Sequence, residues 1–350
     1  MYPAYIELRK LFLKSIYKNA IIYILIFIIA CTPKNQNHNL LALLDMIPNL
    51  GDYWAQIYWV NFLIVLDPNH TDFIEPATQT RIDKNKNKII LISGWNYNDK
   101  SNRNYPSSEE LKKRVLNNWK HLFSTSQFIE LSNNLDVFVF DYLTSDPIDK
   151  NGWRLRLLLD QFFTEENKTV IIYAHSMGGL VSRFALYYKD SPSYIKKIIT
   201  AGTPFHGSPW ASPEYQKDKS LLGELAQFLT NTEGGKDLRW DNYDNSLPNS
   251  SNQKLTQINQ NFDRDSYLIT LYGEVPSGTS FESDSLQTFG IFCTLLNDFN
   301  NHDCVVPSRS AYLDNHSVYK NLKIGKYDHT DVNWGTTNTR NFILNIILNL

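Results

Sequence analysis

Residues 169–180, TVIIYAHSMGGL, constrain this chain more than any other stretch. Residues 169–173 are β-branched and almost wholly apolar, the composition of a strand buried on both faces. Then come Ala174-His175-Ser176-Met177-Gly178-Gly179, and 180–189 reads as a helix. A serine with Ala174 two residues before it and Gly178 two after, between strand and helix, predicts a sharp turn that presents the hydroxyl for attack. Such a turn needs strained backbone, and small residues where neighbouring segments pass close. The following helix aims its first amides at the same point, so the Met177 N–H is placed to stabilise an oxyanion. Ser176 is the candidate nucleophile.

A chain of 350 residues, 42% of them apolar, can bury one large core. Strand candidates at 88–93, 135–142, 169–173, 194–203, 266–275 and 322–327 are interleaved with helix candidates at 107–123, 151–163 and 180–189. A closing amphipathic helix is expected at 338–350. Ser107 and Ser108 before Glu109 and Glu110 make a capping start for the first of these helices. Apolar strands alternating with helices predict an α/β fold whose mainly parallel sheet is covered on both faces. The stretch 204–262 is rich in Ser, Asn, Pro and Gly, with helix candidates at 220–230 and 253–262. So long a connection between core strands is expected to be a cap or lid, over about 206–262. A net charge of −2 argues against a nucleic-acid surface.

The N-terminus reads as an address. Residues 1–19 carry Arg9, Lys10, Lys14 and Lys18 against Glu7, and 20–30 is an unbroken apolar run ending at Cys31. Eleven residues are too few for a spanning helix, which needs roughly 20, but fit the core of a signal peptide. Ile28-Ile29-Ala30-Cys31 resembles a bacterial lipobox, in which the cysteine is lipidated and becomes the first residue. The expected divisions are a leader at 1–30, a tether and N-terminal extension at 31–87, and the main domain at 88–350. The location implied is outside a bacterial membrane, on its periplasmic face or at the cell surface, held there by the Cys31 lipid. An uncleaved signal anchor is the competing reading. Export implies an oxidising compartment, which leaves Cys293 and Cys304 as a pair able to close a short disulfide loop.

A serine nucleophile on such a fold requires an acid after a later strand and then a histidine, in the order Ser…Asp…His. Of the eight histidines, His38, His70 and His121 precede Ser176, and His175 adjoins it with a side chain expected to point away. Among His206, His302, His316 and His329, the last is the candidate base. It lies in Lys326-Tyr327-Asp328-His329-Thr330-Asp331, between a strand candidate and the last helix. Asp303, in Asn301-His302-Asp303-Cys304-Val305-Val306-Pro307, leads as the acid over Asp284, Asp298 and Asp314. The second oxyanion donor is expected after the first confident strand, where Ser93-Gly94-Trp95 assigns it to the Trp95 N–H, with Asn96 as the alternative.

Ala174–Gly179 as AHSMGG, 202–208 as GTPFHGS, 303–307 as DCVVP and 328–331 as DHTD resemble motifs of α/β-hydrolase-fold lipases and esterases, particularly bacterial triacylglycerol lipases. The resemblance implies an α/β-hydrolase fold with a cap and a serine hydrolase cleaving acyl esters. It implies a lipid or other acyl ester as substrate and no organic cofactor. Three departures stand out. Ser93 replaces the histidine of the usual His-Gly-x oxyanion turn, Cys304 takes a glycine place, and Phe205-His206 alters Thr-Pro-His-x-Gly-Ser. Some of these lipases hold a structural calcium near the histidine loop. Asp331 matches one ligand, with Asp263, Asp265 or Asp284 as its partner. Thioesterase, amidase or acyltransferase chemistry would use the same residues, and an inert surface lipoprotein of this fold is the alternative from another class.

Overall fold

The computed structural model describes residues 55–60, 72–78, 82–83, 85–96, 99, 107–164, 169–187, 192–213, 231–241, 252–260, 262–276, 293, 296, 301–314 and 316–350. All belong to the compact unit Tyr53–Leu350. The expected leader at 1–30, Cys31 and the tether lie outside the described residues, as does helix candidate 220–230. Among the described residues no helix is long and apolar enough to cross a membrane.

The strands are β1 (Ala55–Val60), β2 (Ile74–Pro76), β3 (Lys88–Ile92), β4 (Asp136–Tyr142), β5 (Val170–His175), β6 (Ile195–Ala201), β7 (Leu268–Gly273), β8 (Val275–Pro276), β9 (Asn301–His302) and β10 (Lys320–Gly325). The helices are α1 (Ser108–Phe123), α2 (Ser126–Asn134), α3 (Ile148–Phe163), α4 (Met177–Tyr187), α5 (Glu233–Lys236), α6 (Gln253–Ile258), α7 (Ser308–Ala311) and α8 (Thr337–Leu348). Eight strands form one sheet in the order β10-β7-β6-β5-β3-β4-β1-β2. From β10 to β4 every pairing is parallel, and β1 and β2 add an antiparallel edge.

Successive strand residues face opposite ways, so each central strand feeds two core layers. Ile90, Ile92, Phe138, Phe140, Ile172 and Ala174 pack with Leu155 and Leu159 of α3 and Leu180 and Val181 of α4. Ile89, Leu91, Val137, Val139, Ile171 and Tyr173 pack with Val115 and Trp119 of α1, Leu131 of α2 and Ile343 of α8. This is why 89–92 of β3 and 137–140 of β4 read as unbroken apolar runs. The capping start of α1 is realised as Ser107 accepting from the Glu110 amide, with the Glu110 carboxylate accepting from the Ser107 amide at 2.7 Å.

The expected domain start at residue 88 needs correction. β1 pairs with β4 from Ala55↔Tyr142 to Trp59↔Phe138, and β2 pairs with β1, so the sheet takes in residues assigned to an N-terminal extension. The Trp59 indole donates to Asp136 at 2.9 Å and fixes this edge. The strand is hidden in the sequence because its alternation runs inside a longer aromatic stretch. Helix α2 was not anticipated either. It starts immediately after α1, on a Thr125 side chain that accepts from the Phe128 amide.

Candidate active site

From β3 the chain moves outward to β4 on one side, then returns to β5 on the other. The carboxyl ends of β3 and β5 therefore meet where the strand order reverses, the position at which open parallel sheets bind ligands. Ser176 follows β5 directly, and 93–96 follows β3.

Ser176 has φ 53°, a left-handed conformation that costs an L-residue roughly 1–2 kcal/mol. Its surroundings hold it there. The Ser176 amide donates to Ala201 O at 2.8 Å, and its carbonyl accepts from the Gly179 amide and the Thr203 hydroxyl, each at 3.0 Å. The small residues around the turn are used as expected. A Cβ on Gly178 would lie 2.6 Å from Ser93 O, and one on Gly94 2.7 Å from Ser176 Cβ. Gly94 thus brings the loop after β3 against the serine, with the Trp95 amide next in the chain. The Asn96 amide donates to Thr144 Oγ1 at 2.9 Å, which removes it as the alternative oxyanion donor. Met177 opens α4, where a first-turn amide has no partner within the helix.

Asp303 follows β9 and is buried. Its Oδ1 accepts from the amides of Val305 at 3.0 Å and Val306 at 2.7 Å, and its Oδ2 lies 2.7 Å from His329 Nδ1. A carboxylate only accepts, so Nδ1–H is the donor and Nε2 is left free to accept a proton. The His329 amide also donates to Asp303 O at 2.8 Å, so the two residues are joined through side chain and backbone. A Cβ on Gly202, the residue after β6, would lie 3.0 Å from both Asp303 Oδ2 and His329 Nδ1. The Ser176 amide donates to Ala201, the residue before Gly202, so the Asp303–His329 pair stands at the end of β6 on the side of the serine turn. The rivals Asp284 and Asp298 lie outside the described residues.

His175 does more than the sequence suggested. Its Nε2 lies 2.9 Å from the His329 carbonyl, and the two rings sit 4.7 Å apart. The carbonyl can only accept, so Nε2–H donates and pins the histidine loop to the end of β5. Burial, and secondarily the nearby His329, holds the His175 pKa well below its ordinary value, so the ring is neutral. Replacing it with Phe keeps a ring and deletes the donor, and kcat for an ester substrate should fall about tenfold. Because the folded pKa is depressed, His175 lends stability above about pH 6.5 that is lost as pH falls toward its folded value. Urea titrations across pH 5–7 should thus show a flatter pH dependence for His175→Phe than for wild type.

Other sequence expectations resolve as follows. Cys293 and Cys304 form a disulfide. Cys304 has φ 75°, which explains why a glycine is usual at that place. His206 Nδ1–H donates to Asp241 Oδ2 at 2.8 Å, a pairing the motif did not foretell. Asp265, one suggested partner of Asp331 in a calcium site, is engaged by Arg183 and His316. Asp284 lies outside the described residues. Among the described residues no group of three or more His, Cys, Asp and Glu side chains is placed to hold a metal ion.

A mainly parallel sheet covered on both faces, with a serine on a left-handed turn between a central strand and its helix, defines the α/β-hydrolase fold. A model of the PGAP1-like alpha/beta domain matches residues 155–236, which carry most of α3, the serine turn and the segment after β6. No curated protein matches the chain. Among solved structures it is similar to the mature lipase BlEst2 of Bacillus licheniformis, at 19% identity and a TM-score of 0.48 over 85% of this chain and 97% of that one. It is similar also to lipase 1 of Pelosinus fermentans, at 14% identity and a TM-score of 0.42 over 75% and 97%. Phospholipase PlaB of Legionella pneumophila matches at 17% identity and 0.40 over 65% and 45%. None of these likenesses assigns a substrate to this chain.

Proposed function

We propose that this chain is a serine ester hydrolase working through an acyl-enzyme. The observation that carries the reading is the two-point link between Asp303 and His329 beside a left-handed Ser176. In this scheme Ser176 Oγ attacks the ester carbonyl while His329 Nε2 takes its proton. Asp303 holds the imidazole in the tautomer that leaves Nε2 basic, and stabilises the ring once it is charged. The amides of Met177 and Trp95 receive the oxyanion, an interaction worth several kcal/mol of barrier. His329 then protonates the leaving alcohol, and water enters by the same route to release the acid and regenerate Ser176. The substrate class we propose is an acyl ester of a lipid, with the expected N-terminal lipid at Cys31 holding the protein at a membrane surface.

A fluorophosphonate probe tests the chemistry. Wild type should be labelled at Ser176 and Ser176→Ala should not; a folded wild type that resists labelling sinks the hydrolase reading. Turnover across p-nitrophenyl esters tests the substrate class, since a peak at acyl chains of about two to four carbons argues against a lipid ester.

A further inference from the structure

The loop after β3 is held from one place. Ser93 O accepts from the Tyr142 hydroxyl at 2.9 Å, and the Asn96 amide donates to Thr144 Oγ1 at 2.9 Å. Between these two anchors lie only Gly94, which is set against Ser176, and Trp95. Both anchors come from the carboxyl end of β4, the parallel neighbour of β3, so a single strand end sets both sides of the loop.

A charged network behind that strand end keeps the anchors in place. The Thr144 hydroxyl and amide both donate to Asp99 Oδ2 at 2.8 Å, and the Asp99 amide donates back to Asn96 O at 3.0 Å. Arg114 of α1 grips Asp99 with two nitrogens, one of them at 2.6 Å from Oδ2. It also donates to Asp141 Oδ1 at 2.8 Å and to Tyr142 O at 2.7 Å. Asp99, Asp141, Tyr142 and Thr144 are each no more than 1% exposed. Burial pushes the Asp141 carboxyl up to about 6 in spite of the guanidinium beside it. Packed apolar side chains would stabilise such a site as well as buried charges do. What apolar side chains cannot do is receive the Asn96 amide and fix its direction.

We infer that Thr144 is a positioning residue for the oxyanion loop, its hydroxyl orienting the Asn96 amide and, with the Tyr142 hydroxyl on Ser93 O, fixing the Gly94–Trp95 backbone over Ser176. The inference rests on the ester-hydrolase reading. A preorganised donor stabilises the transition state more than the ground state, so its misplacement lowers kcat and spares KM. Thr144→Val keeps the shape and deletes the hydroxyl, and Thr144→Ser restores it.

The measurement is kcat per fluorophosphonate-titrated site, KM, thermal midpoint, and the inhibition constant of an aryl boronic acid, whose serine adduct places an oxygen in the hole. Thr144→Val should lose at least tenfold in kcat and in boronate affinity together, with KM within about twofold, and Thr144→Ser should recover both. A Thr144→Val enzyme with a lower thermal midpoint but kcat and boronate affinity within twofold of wild type overturns the inference and leaves the hydrolase reading standing. Should Thr144→Val not fold, the same pair of readouts on Tyr142→Phe decides, with the same criteria. A wild type that neither titrates nor turns over overturns both.

Discussion

Asp303→Asn should lower kcat by about 10⁴-fold with little change in KM, at unchanged labelling geometry and near-unchanged stability. The size follows from tautomer control. Asp303 Oδ1 accepts two backbone amides, so this oxygen must remain the acceptor in the variant, and the new NH₂ is forced to the Oδ2 position facing His329 Nδ1 at 2.7 Å. An amide NH₂ there can only donate, so Nδ1 becomes the acceptor and the proton moves to Nε2. The nitrogen that should receive the Ser176 proton is then already protonated. Pre-steady-state acylation by a p-nitrophenyl ester reads this step directly, and a burst rate within tenfold of wild type would show that Asp303 is not the acid. Asp303→Ala should be comparably slow but less stable, because the Val305 and Val306 amides lose their buried acceptor.

The elements of the site that could be read from the chain are those encoded locally. The serine turn was legible because strand, turn and helix are contiguous over 169–187, and each residue there has a local reason to be what it is. The meeting of Asp303 with His329 was legible because loops after successive parallel strands must emerge at one edge of the sheet. The resemblance of four short motifs to lipases and esterases pointed the same way. What escaped is what depends on pairing at long range. β1 inserts between β4 and β2, its Trp59 reaching Asp136 77 residues on, and no local signal marks which strand it will choose. His175 gives no local sign of its role, because its partner is a carbonyl 154 positions later. The network of Asp99, Arg114, Asp141 and Thr144 is likewise scattered, and a charged residue inside an amphipathic helix reads by default as a solvent-facing one.

The left-handed positions tell a related story. Ser176, Cys304 and Trp334 are the non-glycine residues with positive φ among those described: the proposed nucleophile, the residue after the proposed acid, and a member of the turn Asp331–Gly335 that follows His329. Strain that would be selected against elsewhere is concentrated where the chain must present a side chain at a fixed angle. Cys304 carries it with its backbone amide bonded to His302 Nδ1 at 3.0 Å and its sulfur bonded to Cys293. The acid is thus held from both neighbours in the sequence as well as by its own turn.

Gly202→Ala should cost about 10²-fold in kcat and roughly 1–2 kcal/mol in stability, a larger effect on activity than on folding. Gly202 has φ 58°, so alanine meets the left-handed penalty whatever space surrounds it. Its backbone cannot relax freely, because its amide donates to Leu271 O at 2.9 Å and ties the end of β6 to β7. The added methyl would stand 3.0 Å from Asp303 Oδ2, 3.0 Å from His329 Nδ1 and 3.2 Å from His329 Cε1, tighter than carbon normally approaches either group. Since the glycine backbone is held, the histidine and the carboxylate must yield, and they can do so only by lengthening the bond between them or turning the ring. A shift of a few tenths of an ångström suffices to misalign Nε2 with the serine. Chemical denaturation and steady-state kinetics on the same preparation separate the two effects. Activity retained within threefold, alongside the expected loss of stability, would mean that the Asp303–His329 bond is not under tight geometric control and that the pair tolerates a looser arrangement than the structure implies.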